Sequence, residues 1–238
     1  MKKLTTILFL STFIFISFAL NAQDISEGMV KMEITDVNSD DQQIAAQLEM
    51  MKGTETNYYF NNDRSLVTAN MMGGMITMKN LHDNSNENMT ILFDVMGQKM
   101  MVESTKEDRA EAEEEQKAAM EGMEVVYDKE DTKEILGYKC YKASIEGGED
   151  MPMTFTMYVS PDIKASNKLI QGLQGFDIEG FPLEFVMDMG QMSMTYTTTE
   201  LKTEIDKSIF DVNTDGYKKM TFEEFQEQMG AMGGGLGF

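Results

Sequence analysis

The side chains with the clearest chemical potential in this sequence are its methionines, which make up 25 of the 238 residues. Three interpretations are open. Met is unbranched, so it can fill a core that contains no Trp. A Met-lined surface can also repack around apolar ligands of variable shape, and thioether sulfurs prefer soft ions such as Cu(I). The candidate ligand-lining residues alternate along two segments: Met151, Met153, Phe155, Met157, Phe185, Met187, Met189, Met192 and Met194.

Residues 211–216 reproduce the first half of a calcium-binding EF-hand loop, with glycine at its sixth position. The second half of the loop does not fit. Phe222 occupies the twelfth position, which requires a bidentate Glu, and Lys218 occupies the eighth. We therefore expect a turn before the last helix and no metal site at this segment.

Histidine and cysteine, which often act as catalytic base and nucleophile, each occur only once in the sequence. The single histidine, His82, stands beside Asp83 in an Asn-rich segment, which favours a surface turn. The single cysteine, Cys140, excludes an internal disulfide and Cys-based metal sites, and it is expected to be buried rather than reactive. The sequence has no Gly-x-Ser-x-Gly, P-loop or dinucleotide-binding fingerprint. It predicts a protein that is not an enzyme and holds no cofactor.

Charge narrows the range of partners. The chain has 41 acidic residues against 20 Lys and Arg, and its formal net charge is −21. Nucleic-acid phosphates require Lys and Arg, so binding to nucleic acid is not expected. An acidic protein also repels anionic lipid surfaces.

Residues 1–22 are predicted to be a secretory signal peptide. Lys2 and Lys3 precede an apolar run over residues 7–20, which is too short to span a bilayer, and cleavage is expected after Ala22. No cysteine stands directly after the apolar run, where a lipid would be attached, so an N-terminal lipid anchor is not expected. The mature protein is predicted to be periplasmic or extracellular, without stable membrane insertion.

Period-two alternation of apolar and polar residues dominates the rest of the chain, which is typical of half-buried antiparallel strands. We expect a single domain over residues 23–229, followed by a flexible glycine-rich tail over residues 230–238. The alternation is clearest in five segments: residues 30–34, 91–95, 151–159, 183–189 and 192–197.

Four segments lack this alternation. Residues 41–51 and 165–173 have apolar residues at helical spacing, and residues 221–229 begin with a Thr-x-x-Glu capping box, so all three are predicted to be short helices. Residues 104–123 are rich in Glu, Ala and Lys and have little to bury. This charged excursion is expected to be either a solvated helix or disordered.

Residues 131–143, with the sequence Asp-Thr-Lys-Glu-Ile-Leu-Gly-Tyr-Lys-Cys-Tyr-Lys-Ala, resemble the TKxIxGYxCxKA strand of the DUF4412 family of exported proteins. Residues 157–163, 180–185 and 210–220 are similar to later segments of the same family, in the same order. The family-like core covers residues 125–222. The family has no known activity and is similar to the GLPGLI family, and the resemblance implies a LolA/LolB-like architecture.

The sequence and the resemblance together predict an α+β protein. A strongly curved antiparallel sheet, shaped as an incomplete barrel, would carry a few short helices on its open side. The leading hypothesis is a non-catalytic binding protein for an apolar or lipid-like ligand in the cell envelope. The alternatives are soft-metal (copper) binding through the Met clusters and a Met-rich structural protein without a small-molecule ligand.

Overall fold

The computed structural model describes residues 24–147 and 153–231. The predicted signal peptide, Met151 and most of the predicted tail lie outside these described residues. Within them the chain forms one large open sheet of 12 strands together with three α-helices. The α+β class is confirmed. The sheet is mixed, because its last strand, β12, pairs in parallel with β6, whereas the other strand pairs are antiparallel.

The strands follow the sheet in the spatial order β12-β6-β5-β4-β3-β2-β1-β11-β10-β9-β8-β7. In chain order the elements are β1 Gly28–Ser39, α1 Gln42–Glu49, β2 Glu55–Phe60, β3 Arg64–Met71, β4 Ile76–Asp83, β5 Met89–Val95, β6 Gln98–Ser104, α2 Lys106–Ala119, β7 Val125–Ile135, β8 Tyr138–Glu146, β9 Thr154–Ser160, β10 Phe181–Asp188, β11 Met192–Lys202, β12 Lys218–Met220 and α3 Phe222–Ala231.

Strand β1 joins two antiparallel meanders, one formed by β2 to β6 and the other by β7 to β11. It pairs with β2 on one side and with β11 on the other. The β1–β11 register shifts twice, and such bulges increase the local twist of a sheet. Gly28 allows the two backbones to approach, because a Cβ at this position would collide with the carbonyl oxygen of Lys202.

The main core lies on one side of the sheet, which we call the front face. The buried side chains of Val30, Tyr58 and Val67 mark this face on three adjacent strands, because directly paired residues point to the same side. The connection between β9 and β10, residues 161–180, packs onto it and contributes buried residues such as Leu173 to the same cluster. The front face of the second meander is thus covered by a segment that is mostly irregular.

The ends of the first meander are covered from both sides. On the front, Phe225 of α3 packs edge-on against Phe93 of β5, with 6.4 Å between the ring centroids. On the back, the connection over residues 203–217 crosses the sheet and buries Phe210. A salt bridge of 3.3 Å between Arg64 and Asp211 fastens this connection to β3.

Three of the four segments predicted to be helical, one of them as an alternative to disorder, do form α-helices in the structure. The segment 41–51 contains α1, whose first turn is capped by the Asp41 carboxylate. Helix α3 begins within the segment 221–229 but extends to Ala231, so residues 230 and 231 belong to the helix and not to the predicted flexible tail. Thr221 and Glu224 form the expected capping box with bonds of 2.8 and 3.1 Å. The charged excursion forms α2, so of its two predicted states the helix is the one observed.

The helix predicted over residues 165–173 is wrong. Only a short 3-10 turn, Asn167–Leu169, forms there. The side-chain nitrogen Nδ2 of Asn167 donates to the backbone carbonyl oxygens of Leu173 and Phe176, at 2.9 and 2.7 Å. These backbone groups therefore find hydrogen-bond partners without a helix. The apolar residues that suggested a helical face are buried instead by an irregular chain.

Replacing Leu173 tests how much the sheet depends on this covering segment. Leu173 is fully buried, so Leu173→Ala is expected to lower the free energy of unfolding by about 2–5 kcal/mol, measured by urea denaturation. Leu136 is 50% exposed, so the matched control Leu136→Ala should change it by less than about 0.5 kcal/mol. Equal losses in the two variants would contradict the assigned packing.

Candidate functional site

A continuous apolar row crosses five strands of the second meander on the front face. Each residue of this row is paired directly with a residue on the neighbouring strand. Four methionines form a second row, two positions away along the chain towards the strand ends, so alternation places them on the same face. We call the two rows together the methionine rim. The inner row is Val125, Ile145, Phe155, Met187 and Met194, and the outer row is Met123, Met153, Met189 and Met192.

Eight of the nine predicted ligand-lining residues are described, and the pairing places them on this face. They differ in how deeply they lie. Phe155, Met157, Phe185 and Met194 are buried in the packed core. The other four, Met153, Met187, Met189 and Met192, are only half-buried. The deep residues therefore act as core packing, whereas the half-buried ones keep part of their surface exposed to solvent.

A tyrosine lies beside the rim. The ring of Tyr196 on β11 stacks on Phe185, with centroids 4.4 Å apart and planes 10° from parallel. Its hydroxyl lies 3.9 Å from the sulfur of Met194. Burial raises the pKa of Tyr196 to about 12, so the hydroxyl remains a hydrogen-bond donor at neutral pH.

Two methionines that follow α2 approach the same core from above. Met120 and Met123 are half-buried and pack against the main cluster, and Met120 lies so close to Gly175 that a Cβ there would clash with its sulfur. Sequence reasoning did not select either residue as a site residue. Their position depends on where the helix returns to the sheet, for which local sequence spacing carries no signal.

Helix α2 is held at its other end by Arg109, one of the two arginines in the chain. Its guanidinium donates to the carbonyl oxygen and hydroxyl of Ser104, at 3.2 and 3.1 Å, and to the carbonyl oxygen of Glu87, at 2.6 Å. Charge-assisted hydrogen bonds of this kind are stronger than neutral ones. The beginning of α2 is thus fixed to the sheet, whereas Met120 packs only through apolar contacts.

The Asn-rich neighbours of His82 suggested a surface turn, but this prediction is wrong. His82 is the penultimate residue of β4 and points to the front face beside α2. Burial, reinforced by the charge of Arg109, lowers the pKa of His82 to about 4. The imidazole is therefore neutral at physiological pH. Two residues earlier, the Oδ1 atom of Asn80 is buried without a hydrogen-bond partner.

The remaining sequence candidates do not form a reactive centre. Asp211 and Asp215 are exposed, and Asn213 accepts a backbone hydrogen bond of 2.8 Å from Asp215, as in an ordinary turn. No cluster of three or more His, Cys, Asp or Glu side chains able to hold a metal ion occurs among the described residues. Cys140 is buried, as predicted, and burial raises the pKa of its thiol to about 12.

Two surface grooves are outlined by the described side chains. One, of about 680 Å³, is lined by Leu136, Tyr138 and residues 199–204. The other, of about 380 Å³, lies on the back face between Leu66 and residues 206–213. Neither is lined by a residue of the methionine rim. No helix in residues 24–147 and 153–231 has the length and apolar character needed to cross a bilayer.

No protein-family model and no curated protein sequence matches this chain. The resemblance to DUF4412 therefore stays a prediction.

Solved structures show a distant likeness. An uncharacterized conserved protein from Thermus thermophilus is 8% identical, with 83% of this chain and 91% of that chain covered and a TM-score of 0.37. A putative outer membrane lipoprotein-sorting protein domain from Vibrio parahaemolyticus is 8% identical, with 80% and 92% covered and a TM-score of 0.35. MucB is 10% identical with a TM-score of 0.34, and the match covers 82% of this chain but only 60% of MucB. All three TM-scores lie below 0.5, so these likenesses do not indicate a function for this chain.

The buried histidine predicts a pH dependence of stability. Its pKa falls from 6.5 in the unfolded chain to about 4 in the fold, so only the unfolded chain takes up this proton between those values. The stabilisation that the neutral imidazole gives the fold is fully present above pH 6.5. It is lost as the pH falls towards 4, where the loss in free energy of unfolding is about 3 kcal/mol. We expect the difference in free energy of unfolding between the parent protein and His82→Gln to shrink by up to this amount from pH 7 to pH 4. A pH-independent difference in urea unfolding would show that His82 is accessible to protons in the fold.

Proposed function

We propose that this protein is a non-catalytic binding protein for an apolar or lipid-like ligand, which it binds at the methionine rim. The observation that carries the proposal is the directly paired apolar row across β7 to β11, together with the four methionines that lie one step beyond it. The rows contain no charged side chain, although charged residues make up 26% of the sequence. A surface that excludes charge and keeps its outer row half-buried is suited to an apolar ligand.

The residue types of the outer row support a ligand of variable shape. All four residues are methionines, whose unbranched and polarizable side chains change rotamer at low cost. Rigid β-branched residues would pack a strand more regularly but adapt less. The hydroxyl of Tyr196 lies next to this surface and would orient a polar group of the ligand.

Helix α2, whose far end packs on the core next to the rim, provides the proposed route by which a ligand enters. Helix α2 is anchored at Arg109, whereas its far end contacts the core through Met120 and Met123. We propose that a ligand displaces this far end and replaces its contacts with the rim. Neither of the two grooves described above lies at the rim, so the proposed site requires the rim to open when a ligand binds.

The sheet's proposed shape and the proposed location of the protein complete this function. Tyr138 of β8 and Leu201 of β11 line one groove although two strands separate them, which supports a strongly curved sheet in the form of an incomplete barrel. We propose that residues 23–229 form one domain of LolA-like architecture, exported by the signal peptide to the periplasm or beyond the cell. The ligand would be met in that compartment.

Soft-metal binding at the rim is the second candidate. Met187 and Met194 are direct cross-strand partners, so their Cβ atoms lie about 5 Å apart and their sulfurs can approach one ion. Native mass spectrometry of the purified mature protein separates the proposals. A co-purifying lipid-sized mass supports apolar binding, and a copper-sized mass supports the metal. Apolar binding would be contradicted if the protein showed only the mass of the bare chain, both as purified and after incubation with the apolar dye Nile red.

Substitutions that keep shape but add polarity should weaken binding. Met187→Gln and Met192→Gln remove apolar character from the rim, so each is expected to raise the Kd for Nile red about tenfold, measured by fluorescence titration. The matched control is Met50→Gln, because Met50 is 61% exposed and lies outside the rim. Equal affinities for the control and the rim variants would show that the dye binds elsewhere.

A further inference from the structure

Two neighbouring turns of the first meander carry methionine in an unusual backbone conformation. Met96 begins the two-residue turn between β5 and β6, with φ of 54°, and Met72 begins the turn between β3 and β4, with φ of 52°. Both values lie in the left-handed region, which a bulky L residue rarely adopts. Turns of this type normally place Asn, Asp or Gly at such positions.

Packing does not account for these methionines. Met96 is 78% exposed and Met72 is 42% exposed, so neither side chain recovers the cost of its backbone by burial. A Cβ at either of the glycines that follow them, Gly97 and Gly73, would meet no atom within 4 Å, so both turns project into open space. Leu136 combines a similar φ of 50° with 50% exposure, so the feature that sets these two turns apart is that each carries a thioether.

The two turns are joined and present a third methionine. The backbone N–H of Met96 donates to the carbonyl oxygen of Met75 at 2.8 Å, and the N–H of Met75 faces the carbonyl oxygen of Met72 at 3.5 Å. Met75 is 48% exposed. Three thioethers therefore project from backbones in direct contact, on flexible side chains with three rotatable bonds each.

We infer that Met72, Met75 and Met96 form a binding site for a soft monovalent cation, with Cu(I) as the natural case. Thioether sulfur selects Cu(I) over Zn²⁺, Mg²⁺ and Ca²⁺. The formal charge of −21 attracts cations to the protein surface in general. This site belongs to the first meander and is separate from the methionine rim, which lies on β7 to β11.

Anaerobic titration of the mature protein with Cu(I), in competition with bicinchoninate, tests the site. We expect one Cu(I) per chain, and at least tenfold weaker binding in Met96→Leu and in the double variant Met72→Leu with Met75→Leu. Leu keeps the size and apolar character of each side chain and removes only the sulfur. Met50→Leu, at another exposed methionine, should bind as the parent protein does.

Other results would overturn the assignment. Absence of Cu(I) binding would do so, as would full binding by the triple Leu variant. Loss of Cu(I) in Met187→Leu with Met194→Leu, but not in the turn variants, would place the metal at the rim instead.

Relief of strain provides a second, independent measurement. Asn tolerates the left-handed conformation, so Met96→Asn should raise the Tm by about 2–4 °C while abolishing Cu(I) binding. Met96→Leu keeps the strain and should leave the Tm close to that of the parent protein. An unchanged or lower Tm in Met96→Asn would remove the argument that the turn sacrifices stability for its sulfur.

Discussion

The pairing of β1 with both β2 and β11 is the constraint on which the rest of the structure depends. Without it the two meanders would be separate sheets, each with an exposed edge. The pairing joins residues far apart in sequence, as in the 2.9 Å hydrogen bond between the hydroxyls of Thr35 and Thr197. Such contacts are slow to form, because the intervening chain must lose its freedom first. The front-face core is therefore complete only when the first strand meets one of the last.

This arrangement also explains how one residue type serves several roles. Met32 and Met157, on central strands, are almost completely buried and pack the core. Towards the strand ends the methionines become half-buried at the rim, and in the turns Met75 and Met96 are largely exposed. The same flexible thioether fills gaps where it is enclosed and leaves its sulfur exposed to solvent where it is not. Depth in the sheet, rather than local sequence, separates the roles.

Local patterns predicted what is locally determined. Alternation located five of the strands and the shared face of Phe155, Met187 and Met194, and one capping box located the start of α3. Non-local features were missed. Apolar spacing near Leu173 suggested a helix, because the sequence does not reveal that Asn167 bonds the backbone of an irregular segment. The Asn-rich surroundings of His82 suggested a turn, because its burial depends on a helix that follows two strands later. For the same reason, the sequence did not indicate that the end of α2 meets the rim.

The turns of the first meander show a conflict between stability and chemistry. Four non-glycine residues among the described ones have positive φ, and two of them are Met72 and Met96. A chain under selection for stability alone would place Asn or Gly there, since both conformation and exposure favour small polar residues. Met96 instead combines an unfavourable backbone with a side chain that gains nothing from burial. The β5–β6 turn closes regardless, because its strands pair along their full length and hold the backbone in place. Extensive pairing thus lets the sheet tolerate a costly residue at the position where a thioether is most accessible.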